Sequence, residues 1–110
     1  LLHDPAFFEI AQGLAERILK EGGKTDEARI ALGVRLCLAR EPDARELSLL
    51  KSFLSRQREQ YAGMDVETLS AVVHRAHGAE AVDEAQRSEQ AAWVMLARVL
   101  LNLDETITRE

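Results

Sequence analysis

The sequence SEQAAWVMLARVLL, at Ser88–Leu101, determines the fold more than any other stretch of the chain. These residues are mostly good helix formers, and apolar side chains cover more than half of the circumference of the helix that they predict. The apolar positions are Ala92, Trp93, Leu96, Ala97, Val99, Leu100 and Leu101. A helix with so wide an apolar surface usually lies at the centre of a bundle, so we predict that other helices surround it.

Capping and helix-breaking residues divide the upstream sequence into further helices. The predicted N-terminal caps are Asp4 (followed by Pro5), Thr25, Asp43 (with Glu46 in a capping box) and Asp65. The predicted stops are Gly22-Gly23, Pro42, Gly63 and Gly78. Residues 79–88 are predicted to be either a loop or a solvated extension of the last helix. From Asn102 to Glu105 we expect the chain to leave that helix.

Each predicted helix has one apolar face and one polar face. The apolar positions include Phe7, Ala11, Ala15 and Ile18, then Ile30, Val34, Cys37 and Leu38, then Leu47, Leu50, Phe53, Leu54 and Tyr61. The polar residue Gln57 lies on the same side of its helix as the last group. Arg56, Arg58, Glu59 and Gln60 are predicted to face solvent. Gly33 in mid-helix costs about 0.5–1 kcal/mol relative to Ala, a cost that a close approach of another helix would explain.

The chain therefore has the pattern of an all-α protein. No stretch alternates apolar and polar residues with the period of a strand. We predict a compact bundle of four to five mostly antiparallel helices in a single domain that spans residues 1–110. Because the chain begins at Leu1 rather than Met, we also expect it to be a fragment of a longer polypeptide.

Charge argues against two classes of partner. The chain has fourteen Lys and Arg residues and nineteen Asp and Glu residues, which gives a net charge of −5. Nucleic-acid binding normally needs a basic face, so we expect no nucleic-acid partner. A helix-turn-helix over residues 25–61 is disfavoured because its second helix, which starts with Ala44-Arg45-Glu46-Leu47, is not notably basic. No run of about 18 apolar residues occurs, so we expect no direct membrane insertion.

Metal and thiol chemistry have weak support in the sequence. His74 and His77 are at positions i and i+3 and share a helix face, and Glu80, Asp83 and Glu84 follow nearby. This makes the two histidines weak candidates for zinc ligands. The alternative is two surface histidines near a helix end. Cys37 lies on an apolar face, where we expect a buried small hydrophobe rather than a catalytic thiolate.

No motif for other catalytic chemistry is present. The serines have no obvious base partner, no glycine-rich phosphate loop occurs, and one cysteine cannot attach a c-type haem. Asp104 and Glu105 are predicted to act as capping or surface ion-pair residues. We therefore expect no cofactor in this domain, and no enzymatic activity for the isolated domain. Trp93, the single tryptophan, is either a core residue or an interface anchor.

Several stretches, taken in order, resemble the C-terminal part of the planctomycete-type domain of unknown function 1553. They are Leu1-Leu2-His3-Asp4-Pro5, Ala15-Glu16-Arg17-Ile18-Leu19, Leu38-Ala39-Arg40-Glu41-Pro42, Glu46-Leu47, Ala92-Trp93, Leu100-Leu101-Asn102-Leu103-Asp104-Glu105 and Arg109-Glu110. The resemblance covers nearly the whole chain apart from residues 62–88. The chain departs from the pattern at His3, where Asn is expected, and at Thr106, where an aromatic residue is expected.

The resemblance implies a large, exported, multidomain parent with a planctomycete cytochrome c-like module, located in the periplasm or cell envelope. It implies haem elsewhere in that parent and no haem here, and it supplies no catalytic residues. Our first hypothesis is a non-catalytic module that packs against other domains of the parent or a protein partner. Its interface candidates are Trp93, Leu100, Leu103, Asp104, Glu105 and Arg109. The alternative is that Asp104, Glu105 and Arg109 contribute to an active site for polysaccharide breakdown or redox chemistry.

Overall fold

A computed structural model of the chain describes residues 5–65, 67–69 and 84–108. The helices in these ranges are α1 (Pro5–Glu21), α2 (Asp26–Leu38), α3 (Ala44–Tyr61) and α4 (Glu84–Thr108). Residues 67–69 are also helical, and the described ranges contain no strand. The all-α bundle that the sequence predicts is therefore confirmed.

Side-chain caps start three helical segments where the sequence predicts them. Each cap accepts a hydrogen bond from the backbone N–H three residues later, which otherwise has no partner at a helix start. The bonds join Ala28 N to Thr25 Oγ1 (3.1 Å), Glu46 N to Asp43 Oδ1 (2.7 Å) and Thr68 N to Asp65 Oδ1 (2.7 Å). The predicted cap Asp4 lies outside the described residues, but Pro5 is the first residue of α1 as expected.

The helix ends rely on left-handed backbone conformations. Gly23 and Gly63 have φ values of +87° and +82°, which glycine adopts without steric strain. Ala39 ends α2 with φ 58°, and its N–H donates to the carbonyl of Arg35. The chain then reaches Pro42, which cannot continue a helix, as the sequence predicts.

Neighbouring helices run in opposite directions because their connections are short. A Cβ built on Gly22 would lie 2.9 Å from Arg29 Cγ, and one built on Gly33 would lie 2.9 Å from Ile18 Cδ1, so residues farther along α2 contact earlier residues of α1. Asp26, at the start of α2, contacts Arg58 near the end of α3. The antiparallel arrangement predicted for consecutive helices is present in both pairs.

The last helix is longer than the sequence predicts. It begins at Glu84 rather than Ser88 and continues to Thr108 rather than ending at Leu101. The prediction that Asn102–Glu105 leave the helix is wrong because no Gly or Pro interrupts the hydrogen-bonded backbone there. Of the two alternatives for residues 79–88, the extension of the last helix is confirmed from Glu84 onward, and a loop is wrong there. Ala85 and Gln86 are exposed as a solvated extension requires, whereas Arg87 is buried. Residues 79–83 lie outside the described residues.

Helix α4 forms the centre of the bundle and contacts α1, α2 and α3. Its predicted central position is confirmed because Trp93, Leu96 and Leu100 are fully buried. The core around them comprises Ala11, Ala15, Ile18, Ile30, Val34, Leu50, Leu54, Tyr61, Leu69, Ala91, Ala92, Val94 and Ala97. Cys37 is half-buried against this core rather than fully enclosed.

Gly33 is the point of closest approach between three helices. A Cβ atom at this position would lie 2.7 Å from Leu100 Cδ1 and 2.9 Å from Ile18 Cδ1, closer than carbon atoms pack. Both neighbours are fully buried, so a Cβ at this position would force side chains inside the core to shift. The close approach that the sequence predicts at Gly33 is therefore confirmed.

None of the described helices has the length and apolar composition needed to cross a membrane.

Replacing Trp93 with Ala should lower the free energy of unfolding by about 3–5 kcal/mol, because the indole is fully buried and would leave a cavity. Urea unfolding followed by circular dichroism measures this loss. The control is Leu49→Ala on α3, where the side chain is 60% exposed and the change should stay within about 0.5 kcal/mol. Equal urea midpoints for the two variants would contradict the central position of Trp93.

Candidate functional site

The structure separates the predicted interface residues. Trp93 and Leu100 are fully buried, so they belong to the core and not to an exposed patch. Leu103, by contrast, is an exposed apolar side chain, 37% accessible to solvent. Asp104 and Glu105 belong to α4, and the structure describes only their backbone. Arg109 lies outside the described residues, as do the metal-ligand candidates His74 and His77.

The main polar cluster within the described residues joins α2, α3 and α4 around Arg58. Two of its nitrogens donate to Asp26, with Nη1 2.7 Å from Oδ2 and Nη2 2.9 Å from Oδ1. It also donates to Glu89, with Nε 3.0 Å from Oε1 and Nη2 2.5 Å from Oε2. Arg58 thus forms a planar two-bond contact with each carboxylate, the geometry that guanidinium suits best.

The prediction that Arg58 faces solvent is wrong. Its side chain is 35% exposed and lies between two helices that start far away in the sequence. By contrast, Arg56, Glu59 and Gln60 are exposed as predicted. Arg58 follows Leu54 by four residues and precedes Tyr61 by three, so its spacing matches the buried face of α3. That spacing is the sequence signal that could have identified it.

Trp93 is part of the same cluster. Its indole Nε1 donates a hydrogen bond of 2.9 Å to Glu89 Oε2, which satisfies the one polar atom of a buried ring. Arg29 lies with its guanidinium carbon 6.0 Å from the centroid of the ring, at the outer limit of a cation–π contact. The core and the polar cluster are therefore one continuous structure.

The cluster holds its carboxylates in the ionised form. Hydrogen bonds from Arg58 lower the pKa of Asp26 below its ordinary value of 3.8. Hydrogen bonds from Arg58 also lower the pKa of Glu89 below 4.5, against the opposing effect of burial, and the Trp93 indole adds to the lowering. Asp26 and Glu89 together raise the pKa of Arg58 further above its ordinary value.

This arrangement suits stability better than catalysis. Each of the four carboxylate oxygens of Asp26 and Glu89 accepts a hydrogen bond from a side chain of the protein itself. A general acid near neutral pH needs a raised pKa, and a base needs a free lone pair within reach of substrate. Asp26 and Glu89 have lowered pKa values, and each of their oxygens already accepts a hydrogen bond within the protein.

A shallow groove of about 420 Å³ runs along the outer side of α3. It is lined by Ala44, Leu47, Ser48, Lys51, Ser52 and Ser55. Lys51 pairs across it with Glu27 of α2, and that hydrogen bond lowers the pKa of the Glu27 carboxyl. The groove is thus lined by three serine hydroxyl groups and by a lysine that forms an ion pair with Glu27.

Arg87, near the start of α4, is a buried charge that the sequence analysis does not predict. Its side chain is 2% exposed, and its Nε and Nη1 atoms have no hydrogen-bond acceptor among the described residues. The described part of the chain also brings together no group of three or more His, Cys, Asp or Glu side chains that could hold a metal ion.

Comparison of the chain with protein-family models, with curated proteins and with solved structures finds no match.

Replacing Arg58 with Met should lower the free energy of unfolding at about pH 7 by about 1–2 kcal/mol. Removing one partner of a fully buried pair costs about 3–5 kcal/mol, and the partial exposure of this cluster reduces that figure. The control is Arg56→Met two residues away, where the exposed side chain makes the change nearly neutral.

The loss of stability in Arg58→Met should depend on pH. Because Asp26 and Glu89 have lowered pKa values in the folded state, their contribution is complete above their ordinary values of 3.8 and 4.5 and is lost below them. The deficit of Arg58→Met relative to the wild type should therefore shrink between about pH 7 and about pH 3. A deficit that stays constant in urea unfolding over this range would show that the ion pairs do not stabilise the fold.

Proposed function

We propose that this chain is a non-catalytic helical module that packs against other domains of its parent polypeptide or against a protein partner. The observation that carries this proposal is the exposed end of the apolar stripe on α4. Leu96 and Leu100 are fully buried, whereas Leu103, the next residue on that stripe, is 37% exposed. The helix continues to Thr108.

The proposed contact surface is the end of α4 from Leu103 to Thr108. Apolar side chains at the edge of a core favour contact with another apolar surface, because such contact removes them from water. In the sequence, Ile107 follows Leu103 at helical spacing, and Asp104 and Glu105 provide charge between them. This composition, an apolar residue with a charged border, is common in contacts between domains.

The closed polar cluster supports a structural rather than a catalytic role. Arg58 and its two carboxylates bind one another, so their hydrogen-bonding capacity is used to hold α2, α3 and α4 together. The resemblance to a domain of large exported proteins supports the proposal that the contact is made with other parts of a longer polypeptide.

A photoreactive amino acid in place of Leu103, introduced into the protein in its source cells, tests this proposal. Before irradiation, an antibody against this chain should detect a polypeptide far larger than 12.3 kDa in the exported or envelope fraction. After irradiation, mass spectrometry should find Leu103 linked to one defined segment, either of the same polypeptide or of one partner.

The matched control places the same photoreactive residue at Leu49, which is more exposed and lies on α3. It should give no defined link. The proposal is contradicted if both positions give the same products or if position 103 links to nothing. A cytoplasmic band near 12 kDa would contradict the larger exported parent. The contact at Leu103 would then be tested separately, by whether the photoreactive residue at this position forms one defined link.

A further inference from the structure

Arg87 is a charged side chain that the fold encloses without providing a counter-charge among the described residues. It is 2% exposed, and its Nε and Nη1 atoms have no hydrogen-bond acceptor there. Arg58, by contrast, is 35% exposed and still donates four hydrogen bonds to two carboxylates. A buried charge without a partner costs free energy of folding, so the burial of Arg87 needs a reason other than the stability of the fold.

The described side chains of α4 do not supply the missing anion. Glu89, two residues after Arg87, lies on a different face of the helix, because residues i and i+2 do not face each other. Both of its oxygens already accept hydrogen bonds from Arg58, and one also accepts from Trp93. The residues that follow Arg87 on its own face are Gln90 and Ala91, and neither carries a charge.

The position of Arg87 in the helix favours a negatively charged ligand. Arg87 lies in the first turn of α4, which begins at Glu84, and the positive end of the helix dipole lies there. Side chains of an α-helix lean toward its N-terminus, so the guanidinium of Arg87 is directed to that end. Its neighbours Ala85 and Gln86 are exposed, so this end of α4 borders solvent.

We propose that Arg87 binds an oxyanion at the start of α4 through the paired N–H groups of its guanidinium. The ligand carries two adjacent oxygens, as a phosphate or a carboxylate does, because guanidinium donates two parallel hydrogen bonds to such groups. Enclosure strengthens these bonds, since charges attract each other more strongly away from water. Helix ends open locally at low cost, which gives the anion access to the enclosed nitrogens.

This site lies at the start of α4, whereas the contact surface of the proposed function lies at the other end of that helix. The oxyanion site can therefore fail while the proposed function holds, and the reverse is also true.

Urea unfolding of the whole chain with and without inorganic phosphate tests the oxyanion site. Sodium chloride keeps the ionic strength constant, so that the general screening of charges does not change. A ligand that binds only the folded chain stabilises it, so about 50 mM phosphate should lower the unfolding equilibrium constant of the wild type at least about tenfold. Arg87→Met keeps an aliphatic side chain but removes the charge, so this variant should lose the response.

The matched control is Arg56→Met, which removes an exposed arginine of α3 and should respond to phosphate as the wild type does. It also accounts for the general stabilising effect of phosphate on folded proteins. Acetate in place of phosphate distinguishes the two ligand classes. Stabilisation of the wild type by both anions supports a site that accepts carboxylates, and stabilisation by phosphate alone supports a site for phosphate groups.

Equal responses of the wild type and Arg87→Met to phosphate overturn the proposal, as does a wild type that does not respond. Equal responses are expected if Arg87 is paired within the chain, for example with Asp83 or Glu84, which precede it by four and three residues in the sequence. Arg87→Lys provides a second variant that keeps the charge in the fold. It lacks the paired donors, so its response should be weaker, and a response equal to that of the wild type also overturns the proposal.

Discussion

The close contact of Ile18 and Leu100 with the bare backbone at Gly33 is the constraint on which the rest of the bundle depends. Because Gly33 has no side chain, α1 and α4 both reach the backbone of α2 at one point. This approach leaves Leu100 fully buried and fixes the depth at which α4 lies between its neighbours. Protein interiors pack as densely as organic crystals, so a shift at this point would be transmitted along α4 to Trp93.

The polar counterpart of this contact lies at the other end of the buried part of α4. Arg58 holds Asp26 of α2 and Glu89 of α4, and Glu89 in turn accepts the hydrogen bond of Trp93. The apolar contact at Gly33 brings the helices close, and the Arg58 cluster satisfies the charges and the indole N–H at the junction. The Gly33 contact and the Arg58 cluster therefore depend on each other, because each requires the helix positions that the other helps to maintain. A cluster so fully occupied by its own side chains supports a structural role for this domain.

Much of this architecture could be predicted from local sequence signals, because helices are defined by neighbouring residues. The caps at Thr25 and Asp43, the glycine contact at Gly33 and the core position of Trp93 all follow from spacing and residue type. The Arg58 cluster could not be predicted in this way, because the partners of Arg58 are more than thirty residues away in the sequence. In addition, an arginine beside polar residues normally faces solvent. The sequence predicts too short a helix α4 for a different reason. The polar residues after Leu101 suggest that the helix ends there. Because no Gly or Pro follows, the helical backbone hydrogen bonds continue instead.

The most direct test of the contact at Gly33 compares Gly33→Ala with Gly13→Ala by urea unfolding. Both substitutions add one methyl group to a mid-helix glycine, so both gain the same helix propensity. Gly13→Ala should stabilise the chain by about 0.5–1 kcal/mol because its Cβ meets no atom within 4 Å. Gly33→Ala should be less stable than Gly13→Ala by about 1–3 kcal/mol, the usual cost of overpacking a core. Equal free energies of unfolding for the two variants would contradict the account, because Gly33 would then not be the point that sets the packing of α1, α2 and α4.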